Sequence, residues 1–142
     1  MSAPLPVVYL ARHGETAWSL TGQHTGLTDL PLTEAGECNA RRLAERLKRM
    51  KFEKVLTSTL QRAVRTCSLA GFGAVAEVDR DLVEWDYGAY EGRRTPEILQ
   101  ENPDWHLFRD GARAQMAFAK PKSSTFTLPC GVTFRLDGFR SR

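Results

Sequence analysis

Apolar residues fall into short blocks separated by polar links bearing glycine and proline. Val7-Val8-Tyr9-Leu10-Ala11 is an apolar run, β-branched at its start, with prolines before it and Arg12-His13-Gly14 after it. It predicts a buried strand feeding a loop. After the turn Asp29-Leu30-Pro31-Leu32, Thr33 stands where a helix N-cap belongs. Ala40, Leu43, Ala44, Leu47 and Met50 then recur at three- and four-residue spacing, with Arg41, Arg42, Glu45, Lys48 and Arg49 on the other face. That is an amphipathic helix suited to covering a sheet. Lys54 to Ser58 predicts a second strand, and Leu60 to about Ala70 a second helix that Ser58 or Thr59 can cap. Val75 to Val78 predicts a third strand, and Thr95-Pro96-Glu97 opens a short helix with proline near its first turn.

The order β-α-β-α-β with short links predicts an α/β sandwich built on a mainly parallel sheet. Such sheets carry their chemistry at the carboxyl ends of strands. Arg12-His13 follows the first strand, Arg62 the second and Glu84 the third. The topology therefore predicts that these residues converge.

Composition narrows the classes. A chain of 142 residues, 42% hydrophobic and 26% charged, suits one domain with a real core. No window approaches the ~18 consecutive apolar residues of a membrane helix. Met1 to Pro6 lacks the basic and apolar regions of a secretory signal. Cys38, Cys67 and Cys130 are odd in number and widely spaced, which disfavours a disulfide framework and a structural zinc site and fits a reducing cytoplasm. A net charge of +3 is too small to argue for nucleic acid. Its distribution says more. Of 20 basic and 17 acidic side chains, six basic and one acidic lie beyond residue 111, which leaves the body at −2 and the tail at +5. The expected division is a body over 1–111 and a divergent basic tail over 112–142, whose stretch Lys120 to Thr127 has neither helical period nor clean alternation.

Arg12-His13-Gly14-Glu15-Thr16 leaves a strand directly. A neutral imidazole there can attack phosphorus, and an adjacent guanidinium offers a planar fork of donors to phosphate oxygens. Gly14 would let the backbone approach the anion. Taken alone, the triplet fits equally a loop histidine satisfied by a backbone carbonyl. Further along stand Gly22-Gln23-His24-Thr25-Gly26 with Leu30-Pro31-Leu32-Thr33-Glu34-Ala35-Gly36, then Ser58-Thr59-Leu60-Gln61-Arg62-Ala63, then Glu84-Trp85-Asp86-Tyr87-Gly88-Ala89-Tyr90-Glu91-Gly92. In this order and spacing the chain resembles the histidine phosphatase superfamily, the phosphoglycerate mutase-like family, from residue 7 to about 111.

The resemblance implies a three-layer α/β sandwich and a set of roles. His13 matches the histidine that is phosphorylated, Arg12 and Arg62 the arginines of the phosphate pocket, and Glu84 the acid that protonates the leaving oxygen. Ser19, Thr25, Gly26 and Tyr87 match positions that contact substrate. His24 and His106 match no catalytic position and default to surface or packing roles. No cofactor or metal is implied, and the expected partner is a small phosphorylated metabolite, with neither nucleic acid nor membrane. Ser19 after Trp18, and the short span from Arg93 to Trp105 before Phe108-Arg109-Asp110-Gly111, look more like the sugar-phosphate and acid phosphatase branch than the mutases.

The resemblance also exposes a departure. The family's second catalytic histidine lies far downstream, and no histidine follows Gly111 here. Relatives continue with a Cys-Pro-Gly-like turn where this chain has Ala112-Arg113-Ala114. Loss of one base from a codon run TGC CCG GGC gives that tripeptide, so the tail reads either as an out-of-frame product or as a genuine alternative terminus. The expected fold is accordingly truncated at the C-terminus. Three functional classes stay open: a phosphomonoesterase with a phosphohistidine intermediate, a non-catalytic phosphate-binding remnant, and an inert product of a damaged frame. Mutase-type phosphoryl transfer is a further alternative.

Overall fold

The computed structural model describes residues 7–110 and the backbone of 132–136. The tripeptide 112–114, Cys130 and most of the tail lie outside the described residues. Strands β1 (Val7–Ala11), β2 (Lys54–Thr57) and β3 (Ala76–Val78) form within a residue of the bounds that the apolar runs predict. A fourth, β4 (Val132–Leu136), comes from the tail. Its alternation Val-Thr-Phe-Arg-Leu is a strand signal, though it is not among the elements expected from the sequence. The sheet order is β1-β4-β2-β3. β2 and β3 pair in parallel, whereas β4 runs antiparallel to both β1 and β2, with Val7 opposite Leu136 and Lys54 opposite Arg135. The three strands of the body therefore share one direction, as the β-α-β-α-β order requires, and the tail strand runs against them.

Five α-helices are described, together with two single 3-10 turns, Arg80–Leu82 and Gly88–Tyr90. α1 (Ala17–Thr21) is unanticipated, and Thr16 and Ser19 close a capping box at its start. Gly22, at φ 77°, ends it in the left-handed conformation that favours glycine. α2 (Glu34–Leu47) is capped by Thr33, whose hydroxyl accepts the Gly36 N–H at 3.0 Å. Glu34 and Glu37 in its first turn and Arg46 in its last suit the helix dipole. α3 (Gln61–Leu69) matches expectation in extent but not in its cap. Leu60 takes the N-cap position without a side-chain bond. Asp29, remote in sequence, accepts the Gln61 N–H at 2.8 Å, and Gln61 Nε2 donates to the Asp29 carbonyl at 2.8 Å. The Ser58 hydroxyl reaches only the Leu60 N–H, at 3.4 Å. α4 (Thr95–Glu101) starts with Pro96 in its first turn, and α5 (Leu107–Asp110) is a single turn.

Two apolar clusters result. Leu47 of α2, Val55 of β2, and Ala63 and Cys67 of α3 form the first, with Leu43, Met50, Phe52 and Phe72 around them. Burial pushes the Cys67 thiol up to about 11, which leaves it unreactive. Tyr87, Tyr90 and Ile98 form the second, under α4 and against Trp105 and Leu107. β1 departs from the buried strand expected of it: Val7, Val8 and Leu10 are 53%, 52% and 46% exposed. The reason is packing: among the described residues Val7, Val8 and Leu10 join neither apolar cluster, and of β1 only Ala11 is packed against the first.

Candidate active site

The loop after β1 is fixed by close backbone contact. A Cβ on Gly14 would run into the Gly36 carbonyl oxygen, and one on Gly36 into that of Glu15. Gly14 thus serves to seat the loop on the first turn of α2; the sequence reading gave it a different purpose, approach to an anion. The Gly14 N–H donates to Thr66 Oγ1 at 2.9 Å, and that hydroxyl donates to the Arg62 carbonyl at 2.7 Å. Glu15 Oε1 accepts the Thr33 hydroxyl at 2.7 Å. The residues bearing chemistry therefore rest on α2 and α3 together.

A cavity of about 80 Å³ opens at this end of the sheet, lined by Arg12, His13, Ser19, Thr25, Glu84 and Tyr87, with Gln23 and His24 completing it. His13 Nδ1 lies 2.7 Å from the Gly14 carbonyl oxygen. A carbonyl only accepts, so Nδ1 carries the proton and Nε2 keeps its lone pair. Burial lowers the His13 pKa below 6.5, and the Arg62 and Arg12 cations lower it further against the pull of the Gly14 carbonyl. The imidazole is therefore neutral at pH 7. Glu84 moves the other way. Burial raises its pKa above 4.5, outweighing the Trp85 N–H bond and the Arg62 and Arg12 cations, while Glu91 adds to the rise. An imidazole with a lowered pKa and a carboxyl with a raised one share a single cavity.

Ser19 lines the cavity, but its hydroxyl also accepts the Thr16 N–H at 2.8 Å and donates to the Thr16 carbonyl at 3.0 Å. Arg62 is 2% exposed and stands behind the cavity wall. Its Nη1 and Nη2 donate to the carbonyls of Thr28 and Gly26, each at 2.8 Å. Gly26 is buried, and its N–H is taken by Glu91, so both of its backbone groups are used internally. Gln23 is a cavity residue that the sequence reading did not single out, and His24, for which it expected a surface or packing role, also lines the cavity. His24 stacks on Tyr87, centroids 4.8 Å apart, with Nε2 3.1 Å from Thr95 Oγ1. Its place beside Thr25 in the second motif was the signal available for it.

A larger cavity, about 640 Å³, lies between β1 and α2. It contains Arg12, Arg42 and Arg46 but neither a histidine nor a carboxylate, so it offers no nucleophile–acid pair. Among the described residues no three His, Cys, Asp or Glu side chains converge as metal ligands, and no helix is long and apolar enough to cross a membrane.

The sequence profile of the Histidine phosphatase superfamily (branch 1) matches residues 8–126. An acid phosphatase of Mycobacterium tuberculosis is 42% identical over 113 residues, covering 78% of this chain and 55% of its own length. A sedoheptulose 1,7-bisphosphatase of Saccharomyces cerevisiae is 38% identical over 135 residues, covering 78% of this chain and 49% of its own. The solved structure of the product of the open reading frame Rv3214 from Mycobacterium tuberculosis superimposes with a TM-score of 0.70 at 41% identity, over 77% of this chain and 56% of that one. The chain thus spans about half the length of these relatives. A profile match over most of the sequence, a shared fold at this identity, and a histidine–arginine–glutamate cavity where the motifs predict it lead to one conclusion: the chain belongs to the histidine phosphatase superfamily, branch 1.

Proposed function

We propose that this domain hydrolyses phosphomonoesters of small metabolites, sugar phosphates first among them, through a phosphohistidine at His13. The observation that carries this reading is the placing of His13, whose Nε2 is left with its lone pair by the Nδ1 contact to the Gly14 carbonyl, in one cavity with Glu84, whose pKa burial raises, beside Arg12. Nε2 attacks phosphorus as the ester P–O bond breaks, and Glu84 gives its proton to the leaving oxygen. The resulting carboxylate then takes a proton from water, whose oxygen attacks the phosphohistidine and frees His13 and inorganic phosphate. Arg12 offsets the charge of the phosphoryl group, which carries close to two negative charges at neutral pH. Arg62 acts from behind, through the peptide it grips. Thr25, Tyr87 and Ser19 line the wall that would face the ester, and Gly26 holds the loop that presents Thr25.

The family's second histidine has no counterpart in this chain, whose histidines are His13, His24 and His106. We therefore take 1–111 as the N-terminal part of the domain and 112–142 as a divergent segment, and expect weak turnover from the 142-residue chain. Incubation with a reactive phosphodonor should give an acid-labile, base-stable label that His13→Ala abolishes. A panel of sugar phosphates with 2,3-bisphosphoglycerate then separates hydrolysis from mutase-type transfer. A label that survives His13→Ala moves the chemistry elsewhere. Phosphate binding without any label supports the non-catalytic alternative, and neither binding nor label supports an inert chain.

A further inference from the structure

One acidic side chain outside the cavity is tied to both the loop and the arginine that the reaction uses. Glu91 accepts the Gly26 N–H through both carboxylate oxygens, at 2.9 and 3.0 Å, and the Thr28 N–H through Oε1 at 3.0 Å. The carbonyls of the same two residues receive the two guanidinium ends of Arg62. The peptide Gly26–Thr28 is thus held by an anion through its N–H groups and by a cation through its C=O groups. Gly26 has no room to yield, because a Cβ there would run into the Trp85 carbonyl oxygen. The preceding residue but one is pinned as well: His24 N–H donates to the Arg93 carbonyl at 2.9 Å, and Gly92 N–H to the His24 carbonyl at 2.8 Å. Thr25, a cavity residue, is fixed between these two anchors.

We propose that Glu91 is a positioning residue for this site: by gripping the Gly26–Thr28 peptide it sets where Arg62 and Thr25 stand relative to His13. This rests on the phosphatase reading. Glu91 touches no reacting atom; it acts through Arg62 and the loop. Charge-assisted bonds of this kind fix geometry more firmly than neutral ones, and small displacements of a positioned group are costly in rate. A second effect follows from its charge. Glu84 is faced by Arg62 and Arg12, which favour its ionised form, by Glu91, which opposes it, and by Tyr87. Removing the Glu91 charge should lower the pH at which Glu84 titrates, a change that a purely structural brace would not produce.

The test uses the 142-residue chain and inorganic phosphate. Calorimetry gives Kd, and carbon-13 NMR of labelled glutamate follows the Glu84 carboxyl. Glu91→Gln should weaken phosphate binding at least fivefold and move the Glu84 titration downward. Arg62→Lys, which keeps the charge but loses the two-ended grip, should weaken binding too, and the double variant should be no weaker than Arg62→Lys alone. An unchanged Kd in Glu91→Gln, or losses that simply add, would overturn the proposal. If Glu91→Gln does not fold, the wild-type chain carries the test. Saturating phosphate should shift the amide resonances of Leu27 and Asp29, whose peptide units contain the two carbonyls bound by Arg62, and unmoved resonances would overturn it. A wild-type chain that binds no phosphate removes the phosphatase reading itself, which is a different outcome from binding that ignores Glu91.

Discussion

His13 shows how one contact serves two purposes. The Gly14 carbonyl satisfies Nδ1, as it would for any loop histidine, and by doing so it selects the tautomer that leaves Nε2 available. Activity should therefore depend on pH in a defined way. In the proposed mechanism His13 must be neutral, so kcat/KM should rise with pH through its lowered pKa, on the acid side of 6.5. The acid must be protonated, so kcat/KM should fall as pH passes the raised Glu84 pKa, above 4.5. A bell is expected from an aryl phosphate assay, its acid limb below pH 6.5 and its alkaline limb above pH 4.5, and activity that does not fall with rising pH would contradict the assignment of Glu84. Thr66 offers a stability counterpart. It is 1% exposed, accepts from Gly14 and donates to the Arg62 carbonyl. Thr66→Val leaves the Gly14 N–H without its acceptor and should cost about 1–3 kcal/mol in urea unfolding, with Thr66→Ser restoring most of it. At this scale the sequence was informative for residues in linear motifs: Arg12, His13, Thr25, Glu84 and Tyr87 meet where the spacing predicts. It was silent on Glu91, on the direction of the Arg62 fork and on the stacking of His24 upon Tyr87. Those depend on contacts between segments far apart in the chain, which no local pattern encodes.

Elements were legible where periodicity carried them and misjudged where a distant side chain intervened. The periods of β1, α2, β2, α3 and β3 are strong, and those elements appear within a residue or so of their expected bounds, except that α2 ends at Leu47, before the Met50 that the period includes. The cap of α3 was the exception, because Asp29 arrives from the loop before α2. Asp29→Ala should destabilise the domain by about 1 kcal/mol, while Thr59→Ala, at an exposed position with no capping bond, should stay within about 0.5 kcal/mol. Thermal unfolding of the two variants decides which residue caps the helix. The same loop carries Thr28, so Asp29 also ties the peptide gripped by Arg62 to the helix from which Arg62 projects. The docking of the β1 loop on α2 depends on bare backbone: Gly36→Ala should separate the two and cost about 1–3 kcal/mol through overpacking.

For the whole molecule, the β-α-β-α-β order fixed the common direction of the body strands, but it could not foresee that a strand from the tail would enter between β1 and β2. Deleting 132–142 removes the strand neighbour of β1 and should lower the urea midpoint and the m-value together. Unchanged values would show that β4 adds nothing to the fold. Replacing the residues after Gly111 by the translation of the alternative frame tests whether the tail is an out-of-frame product. If it returns a histidine donor aimed at the phosphoryl group, kcat/KM on one aryl phosphate should rise by about 10²–10³ at equal folded fraction. The register of β1 also bears on the order of folding. Val7 pairs with Leu136 and Ala11 with Val132, so nearly the whole chain separates the two strands. Among the described strands β1 comes first along the chain and its partner β4 comes last, so β1 must wait for it. Contacts of such long sequence separation close late and slowly. In stopped-flow refolding, the α2–β2–α3 region should therefore gain protection first, leaving the loop that carries His13 to be seated in the final phase.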